Sequence, residues 1–268
     1  MNIYILMILA TLALPLGAYA QQSLTSLPAA PAVTNVRSLE LSVGNQILTN
    51  GFGRWNDVTL RGNYGLGQHV LQGELSTHRR FGQNGVFAAL GDTYTFDPDW
   101  YGSLSAGFGD GAFYLPNYRV DATINRKWLA ERNLVTSLGL GYYDAPDGHT
   151  DSSLSLSVIY YFATPWIVET GVRLNNSDPG GIGTRQQFVA LTWGQTRQDV
   201  VSARYGWGGE GYLSIAVNNQ MVNFRSREAS VMWRHWLTPS TGVLVGVNRY
   251  TNPSYRRSGV QLGLFHDF

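Results

Sequence analysis

The chain ends in the stretch GVQLGLFHDF, residues 259–268, in which two kinds of side chain alternate. Every second residue from Val260 to Phe268 falls on one largely apolar face of an extended segment. A last strand with a free aromatic C-terminus is typical of outer-membrane β-barrels, whose assembly machinery reads it. We therefore predict that Phe268, Leu264, Leu262 and Gly263 form an assembly signal and that lipid is the solvent of the apolar face.

The composition of the chain limits the classes of function. It has 268 residues, of which 14% are charged, with a formal net charge of +1 and no cysteine. The near-zero charge argues against a nucleic-acid partner, and without cysteine an exported chain has no disulfide framework. No His, Asp or Glu cluster has the spacing of a metal site, so we predict no metal and no cofactor.

The N-terminal region reads as an export signal. Residues 3–14 are almost continuously apolar and Ala18-Tyr19-Ala20 follows the A-x-A pattern, which predicts a cleavable signal peptide over residues 1–20. The rival interpretation, an uncleaved anchor, is disfavoured because the run is shorter than the roughly 20 residues of a spanning helix. Residues 21–35 lack alternation and are predicted to be a flexible periplasmic lead-in, which leaves residues 36–268 as the barrel domain.

From residue 35 onward, runs of period-two alternation are separated by turn signals. Residues 153–162 are the clearest run, with Leu154, Leu156 and Val158 facing away from Ser155 and Ser157. Every second connection is tight, and several of the others are long and rich in Gly, Asn and Asp, as in bacterial barrels. The predicted fold is all-β, a closed antiparallel up-and-down transmembrane barrel of about 14 strands, with 12 or 16 as alternatives.

A secreted β-sandwich or lectin-like domain would also show alternation. The predicted strands reach the ~9–11 residues of a tilted membrane crossing, whereas soluble strands usually run ~5–6 residues. The second face of most strands is polar or small, which suits a wet lumen. Aromatic residues near strand ends predict the girdles of a membrane protein: Trp55, Trp100, Tyr101, Tyr142, Tyr143, Tyr160, Tyr161, Trp166, Trp193, Tyr205, Trp207, Trp233, Trp236, Tyr250 and Tyr255.

Charged residues of both signs fall on the predicted lumen face. They would line a pore that selects solutes, or they would form salt bridges that fill the interior; the sequence leaves both interpretations open, because loops can plug a barrel of this width. The lumen-lining candidates are Glu40, Arg61, Glu74, Arg119, Asp121, Glu169, Arg173, Arg204, Glu228 and Arg234.

Two histidines are candidates for rim catalysis. His149 lies beside Asp151, and His78 lies beside Arg80, each at a predicted external loop. Neither has the His-x-Ser spacing of outer-membrane phospholipase or lipid A deacylase, so we interpret both as solvated loop residues and predict no catalytic activity. The run Gly208–Met221 is interpreted as a flexible external loop that meets partners if the barrel is an adhesive one.

Several local stretches resemble the YaiO-type family of outer-membrane β-barrel proteins. They are residues 75–81 (LSTHRRF), 204–212 (RYGWGGEGY), 236–247, 250–255 and 259–262 with the terminal Phe268. The resemblance implies a single-domain outer-membrane barrel; some members carry N-terminal tetratricopeptide repeats, for which this chain has no room. It also implies an association with surface-polysaccharide loci, and it transfers no catalytic residue.

We thus expect a porin-like, non-catalytic barrel in the outer membrane of a Gram-negative bacterium. It would provide a passage or a surface binding site for an envelope solute, with surface or exported polysaccharide as the candidate. The other expected partners are outer-membrane lipid, lipopolysaccharide and the barrel-assembly machinery, without nucleic acid. The alternatives are a rim enzyme acting on lipid or glycan, and a plugged structural or adhesive barrel.

Overall fold

The computed structural model describes residues 37–163, 165–217 and 219–268, which form an antiparallel sheet closed into a barrel of fourteen strands. The strands are β1 Arg37–Leu48, β2 Arg54–Leu66, β3 His69–Arg80, β4 Gln83–Thr95, β5 Trp100–Gly109, β6 Tyr118–Trp128, β7 Leu134–Asp144, β8 Thr150–Tyr161, β9 Trp166–Asp178, β10 Ile182–Gly194, β11 Asp199–Ala216, β12 Asn219–Trp236, β13 Thr241–Thr251 and β14 Arg256–Asp267. The predicted fourteen-strand barrel is confirmed. The predicted signal peptide and lead-in, residues 1–35, lie outside the described residues.

The barrel closes where the last strand meets the first. β14 pairs with β1 from Ser38↔Asp267 to Leu48↔Arg257, and the amide of Phe268 donates to the carbonyl of Arg37 at 2.9 Å. Closure satisfies the backbone groups of both edges, which is required because lipid offers no hydrogen bonds. No helix in the described part of the chain is long and apolar enough to cross a membrane.

The hydrophobic pattern is inverted relative to a soluble protein. On β1 the apolar Leu39, Leu41 and Val43 are about half exposed, whereas Glu40 and Ser42 between them are buried inside the barrel. Leu262 and Leu264 of β14, and Phe268 directly after it, face outward in the same way, while Gly263 faces inward against Ser42 and Leu244. The predicted apolar face of the terminal strand is therefore the lipid-facing one.

Arg37, where the described chain begins, the C-terminus and every second connection lie at one end of the barrel, the periplasmic end in bacterial barrels. The opposite, external end differs from expectation in one element. The interpretation of Gly208–Met221 as a flexible loop is wrong: β11 and β12 are 18 residues each and stay paired as far as Ala216↔Asn219. The glycines of this run suggested a loop, but the alternation of its other side chains continues the hairpin beyond the barrel wall.

The aromatic residues divide between the outside and the inside of the barrel. Trp100, Trp166, Trp193, Trp233, Tyr142, Tyr205 and Trp207 are exposed on the outer surface, as girdle residues should be. The prediction is wrong for Trp55, Tyr101, Tyr143, Trp236, Tyr250 and Tyr255, which are at most 9% exposed and point inward. It is also wrong for Tyr161, which packs against the inward cluster that contains Tyr101. Proximity to a strand end does not distinguish the lipid-facing side of a strand from the lumen-facing side. The inward aromatic side chains therefore fill the lumen and do not belong to the girdle.

Candidate functional site

The external mouth of the barrel is covered by the far end of the β11–β12 hairpin, residues 210–224, here called the lid hairpin. On one side, its Leu213 and Ile215, each 8% exposed, pack into an apolar cluster with Leu48, Trp55 and Tyr255. These three partners belong to β1, β2 and the β13–β14 connection. The lid hairpin is thereby anchored to the wall where the barrel closes.

Other residues of the lid hairpin, which alternate with Leu213 and Ile215, contact the opposite wall. The Tyr212 ring stacks on His149 with centroids 5.0 Å apart, and its hydroxyl donates to the carbonyl of Pro179 at 2.6 Å. Ser214 Oγ donates to Asp147 Oδ2 at 2.5 Å. Gly211 lies so close to Ser177 that a Cβ at this position would overlap the serine side chain. Because it contacts both walls, the lid hairpin crosses the mouth.

On the opposite wall, the lid hairpin contacts a polar cluster in the β7–β8 connection. His149 is only 6% exposed, so its interpretation as a solvated loop residue is wrong; it lies between Tyr143 and Tyr212, with Nδ1 2.5 Å from Asp147 Oδ1. Burial acts to raise the pKa of Asp147, but hydrogen bonds from His149 and Ser214 outweigh it and lower the pKa from 3.8 to about 2. The contribution of this carboxylate to lid docking is therefore present above pH ~4 and lost as the pH falls through ~2.

Beneath the lid hairpin lies a layer of aromatic and cationic side chains, Trp55, Arg80, Tyr250, Tyr255 and Arg257, here called the external plug. The guanidinium carbons of Arg80 and Arg257 lie 4.9 and 5.0 Å from the Trp55 ring centroid. The five side chains are at most 1% exposed. Cation–π contacts between desolvated groups are worth about 2 kcal/mol each, so these contacts favour the external plug as a packed layer under the lid hairpin.

Three residues on the inner wall of β2 and β3 are arranged in the order of a Ser–His–Asp triad. Ser76 Oγ lies 2.8 Å from His78 Nε2, and His78 Nδ1 lies 2.6 Å from Asp57 Oδ1. Arg80 Nη2 and Gln46 Nε2 also donate to the Asp57 carboxylate, each at 3.0 Å. The histidine therefore has both an orienting carboxylate and a hydroxyl within reach, as nucleophilic catalysis requires.

The burial of this trio opposes a catalytic role. Ser76 is 1% exposed and His78 2%, so His78 too was wrongly interpreted as solvated. The His-x-Ser spacing does not detect this trio, because the serine precedes the histidine and the carboxylate belongs to the neighbouring strand. The pairing of Asp57 with His78 brings the residues of the two strands together. In the sequence, the alternation of β2 and β3 is the signal that places these side chains on the inward face.

The ten lumen-lining candidates all lie on inward faces, in three groups. Arg61 bridges Glu40 and Glu74 at 3.7 and 2.8 Å, and Arg234 reaches Glu40 at 3.0 Å from the far side of the closure. Arg119 and Asp121 pair with each other at 3.1 Å. The remaining four are Glu169, Arg173, Arg204 and Glu228, which border a cavity. Their part in solute passage stays a prediction.

This cavity, of about 100 Å³, lies against the inner wall of β8 to β12. Its polar lining includes Ser155, Ser157 and Gln186 besides the four charged residues, and its main apolar surface is the ring of Phe188. The Arg204 guanidinium carbon lies 3.7 Å from that ring's centroid, which holds the ring in place. Arg173 Nε and Ser230 Oγ, two buried polar atoms of residues in this lining, have no hydrogen-bond partner among the residues that the structure describes. Within the described ranges, no three His, Asp or Glu side chains are grouped to hold a metal ion.

Comparison with known proteins supports the fold and its location. Residues 36–213 match the family model described as "YaiO membrane beta barrel domain". The bacterial polysaccharide outer membrane secretin is similar in structure, with a TM-score of 0.59 at 11% identity over 88% of this chain and 100% of that one. Omp33 of Acinetobacter baumannii gives 0.53 at 8% identity, over 87% and 99%. The loop L8 deletion mutant of OmpT from Vibrio cholerae gives 0.51 at 10%, over 87% and 98%. No curated protein matches the sequence.

Proposed function

The chain belongs to the YaiO membrane β-barrel domain family and lies in the outer membrane of Gram-negative bacteria, and we propose from this premise that its lumen binds and passes an envelope glycan. The observation that carries the proposal is the cavity on the β8–β12 wall. Its lining combines an aromatic face with carboxylate, guanidinium, amide and hydroxyl groups. A sugar offers the matching chemistry, because its C–H face packs on rings and its hydroxyls both donate and accept hydrogen bonds.

The position of the cavity suits a passage. It lies in the lumen below the lid hairpin, so a chain threading the barrel would meet Phe188 and Arg204 before the external plug. The similar fold of a polysaccharide secretin, which the present chain matches over its barrel, adds support at the level of architecture. The lid hairpin would then act as the gate at the external mouth.

Replacing Phe188 with Ala should weaken binding of an oligosaccharide about tenfold, which corresponds to ~1.4 kcal/mol, because the stacking face is lost. The measurement is isothermal titration of the folded, detergent-solubilised barrel with two probes, neutral maltohexaose and an acidic hexagalacturonate. Arg204→Gln should weaken the acidic probe more than the neutral one.

The matched control for these variants is Tyr205→Ala, which removes an outward aromatic residue from the position next to Arg204. Its affinities should equal those of the unmodified barrel. If the unmodified barrel retains neither hexasaccharide, or if Tyr205→Ala weakens binding as much as Phe188→Ala does, the cavity is not a glycan site.

We propose further that the barrel acts without catalysis. The Ser76–His78–Asp57 trio has triad distances, but a nucleophile needs open space about 3 Å from its oxygen for the reacting atom. Ser76 is 1% exposed and does not border the cavity. The trio instead holds Arg80 and Gln46 in place, and through Arg80 it supports the external plug.

The proposed assembly partner is the barrel-assembly machinery, acting on the last strand. Phe268 is 72% exposed and its ring packs edge-on against His266, so the aromatic group is presented on the lipid side beside the closing seam. Deleting Phe268 should lower the yield of folded barrel severalfold without reducing export, measured as the heat-modifiable band in membranes against the total exported chain. Equal folded yield would contradict the proposal, and Val217→Ser, a change at the opposite end, is the control.

A further inference from the structure

Six arginines form a continuous outward-facing surface at the external rim, here called the arginine arc. They are Arg225 and Arg227 on β12, Arg249 on β13, Arg256 on β14, Arg54 on β2 and Arg79 on β3. The strands β12, β13, β14, β1, β2 and β3 are consecutive neighbours in the closed sheet. The arc therefore spans six adjacent strands, although two of its members, Arg54 and Arg256, are 202 residues apart in the sequence.

The register places these arginines at nearly one level. Arg227 and Arg256 both pair with Thr251, Arg54 pairs with Ile47, and Arg79 pairs with Asn56. β1 contributes no arginine: its outward residue at this level is Ile47, and the polar Asn45 below it donates its amide to Asn56 Oδ1 at 2.7 Å. The arc is thus a row of arginines at similar heights on both sides of β1.

The arginine arc borders the lipid-facing band directly. Arg249 follows Val247 by two residues, and Arg256 and Arg54 precede Val260 and Val58 by four on the same outward faces. Side chains at this height reach the headgroup layer of the outer leaflet, where an arginine is much less unfavourable than at the bilayer midplane. The aliphatic stems can lie along the apolar band while the guanidiniums stay in the polar layer.

No carboxylate pairs with the arginine arc among the residues that the structure describes. Outward-facing arginines at the periplasmic end are engaged instead: Arg132 with Asp99 at 2.6 Å, and Arg126 over the Trp128 ring at 3.6 Å. On the other side of the external rim, the outward positions hold the stacked Tyr118 and Tyr142. The arc therefore takes the place of the aromatic girdle on its side of the barrel, and its charge is uncompensated by the protein.

We propose that the arginine arc binds the phosphate groups of the glycolipid that forms the outer leaflet. Guanidinium groups bind phosphate bidentately, and clustered basic residues at the membrane surface recognise anionic lipid headgroups. A phosphorylated glycolipid fits better than a soluble polyanion because the arc continues without a break into the apolar band, so acyl chains and phosphates are held by one surface. The arc lies outside the lumen, and this lipid site is independent of what the lumen carries.

The test uses the folded barrel in mild detergent and native mass spectrometry with three probes. These are bisphosphorylated lipid A, the same lipid A with both phosphates removed, and inorganic phosphate as competitor. The bisphosphorylated form should bind at least about tenfold more tightly than the dephosphorylated form, equivalent to ~1.4 kcal/mol. The triple variant R225Q/R227Q/R249Q should lose that preference, and the triple Arg→Lys variant should keep part of it because the charge remains without the bidentate geometry.

The matched control is the triple variant R37Q/R126Q/R132Q, which removes the same charge from outward positions at the periplasmic rim. It should bind bisphosphorylated lipid A as the unmodified barrel does, and heat-modifiable migration verifies that all variants are folded. Equal binding of the two lipid A forms, or equal loss in both triple variants, would overturn the proposal. Displacement of the lipid by millimolar inorganic phosphate would show a free-anion site and would also overturn it.

Discussion

Removing the tip of the lid hairpin should turn a nearly closed barrel into a conducting one. Residues 211–223 would be replaced by an Asn-Gly turn between Glu210 and Phe224, which pair across the hairpin, because a two-residue type I′ turn matches the twist of an antiparallel pair. The change removes Leu213 and Ile215 from the apolar cluster and Tyr212 and Ser214 from the opposite wall. Single-channel conductance in planar bilayers should rise about tenfold, since pore width governs ion flow.

The control for this deletion is Val217→Ser at the hairpin tip, where the side chain is 56% exposed and holds neither wall. Its conductance should stay at the level of the full chain. If the trimmed barrel conducts no more than the full chain, the external plug is the barrier and the lid hairpin is not a gate. Combining the deletion with Trp55→Ala then measures the plug, because Trp55 lies between its two arginines.

Replacing Asp57 with Ala should destabilise the barrel by about 3–5 kcal/mol, the usual cost of leaving a buried charge without its partner. The Asp57 carboxylate accepts from Arg80, His78 and Gln46, and Arg80 is only 1% exposed. Without this carboxylate, the buried guanidinium of Arg80 and the buried donors of His78 and Gln46 lose their acceptor. Reversible urea unfolding in lipid vesicles measures the free energy of unfolding.

The contrast with Ser76→Ala separates a structural trio from a catalytic one. Ser76 bonds His78 and only weakly Glu74, at 2.8 and 3.4 Å, so its removal should cost only about 1 kcal/mol. A fluorophosphonate probe should leave Ser76 of the folded barrel unlabelled. Labelling that disappears in both Ser76→Ala and His78→Ala would establish an activated serine and would refute the non-catalytic proposal.

The strand pattern illustrates how far periodicity carries a prediction. The alternation in residues 153–162 and 259–268 depends only on neighbours in the chain, because successive side chains of a strand point to opposite faces. The number of strands and the inward placement of Glu40, Arg173 and Arg234 followed from that rule. The partners of these side chains could not be predicted from alternation, because Arg234 bonds Glu40, which lies 194 residues away in the sequence.

The errors share one physical cause, which is the dependence of burial on what lies across the lumen. Trp55 and Tyr250 were assigned to the girdle, and His78 and His149 to solvent, because position near a strand end does not show what covers a side chain. The lid hairpin covers Trp55, Tyr250 and His149, whereas His78 is enclosed by Asp57, Arg80 and Tyr114. The glycine-rich run of the lid hairpin indicated a loop locally, and only contact with both walls favours the extended hairpin.

The sequence by itself determined the closed fourteen-strand barrel, its lipid-facing bands and the family, because these properties arise from local alternation and from turn spacing. The tertiary structure decided whether the mouth is closed, which inward charges meet, and that six arginines from five strands stand together at one rim. These depend on register and closure, which bring distant residues to one height around the barrel. A single strand's pattern contains no information about the strand it will face across the lumen.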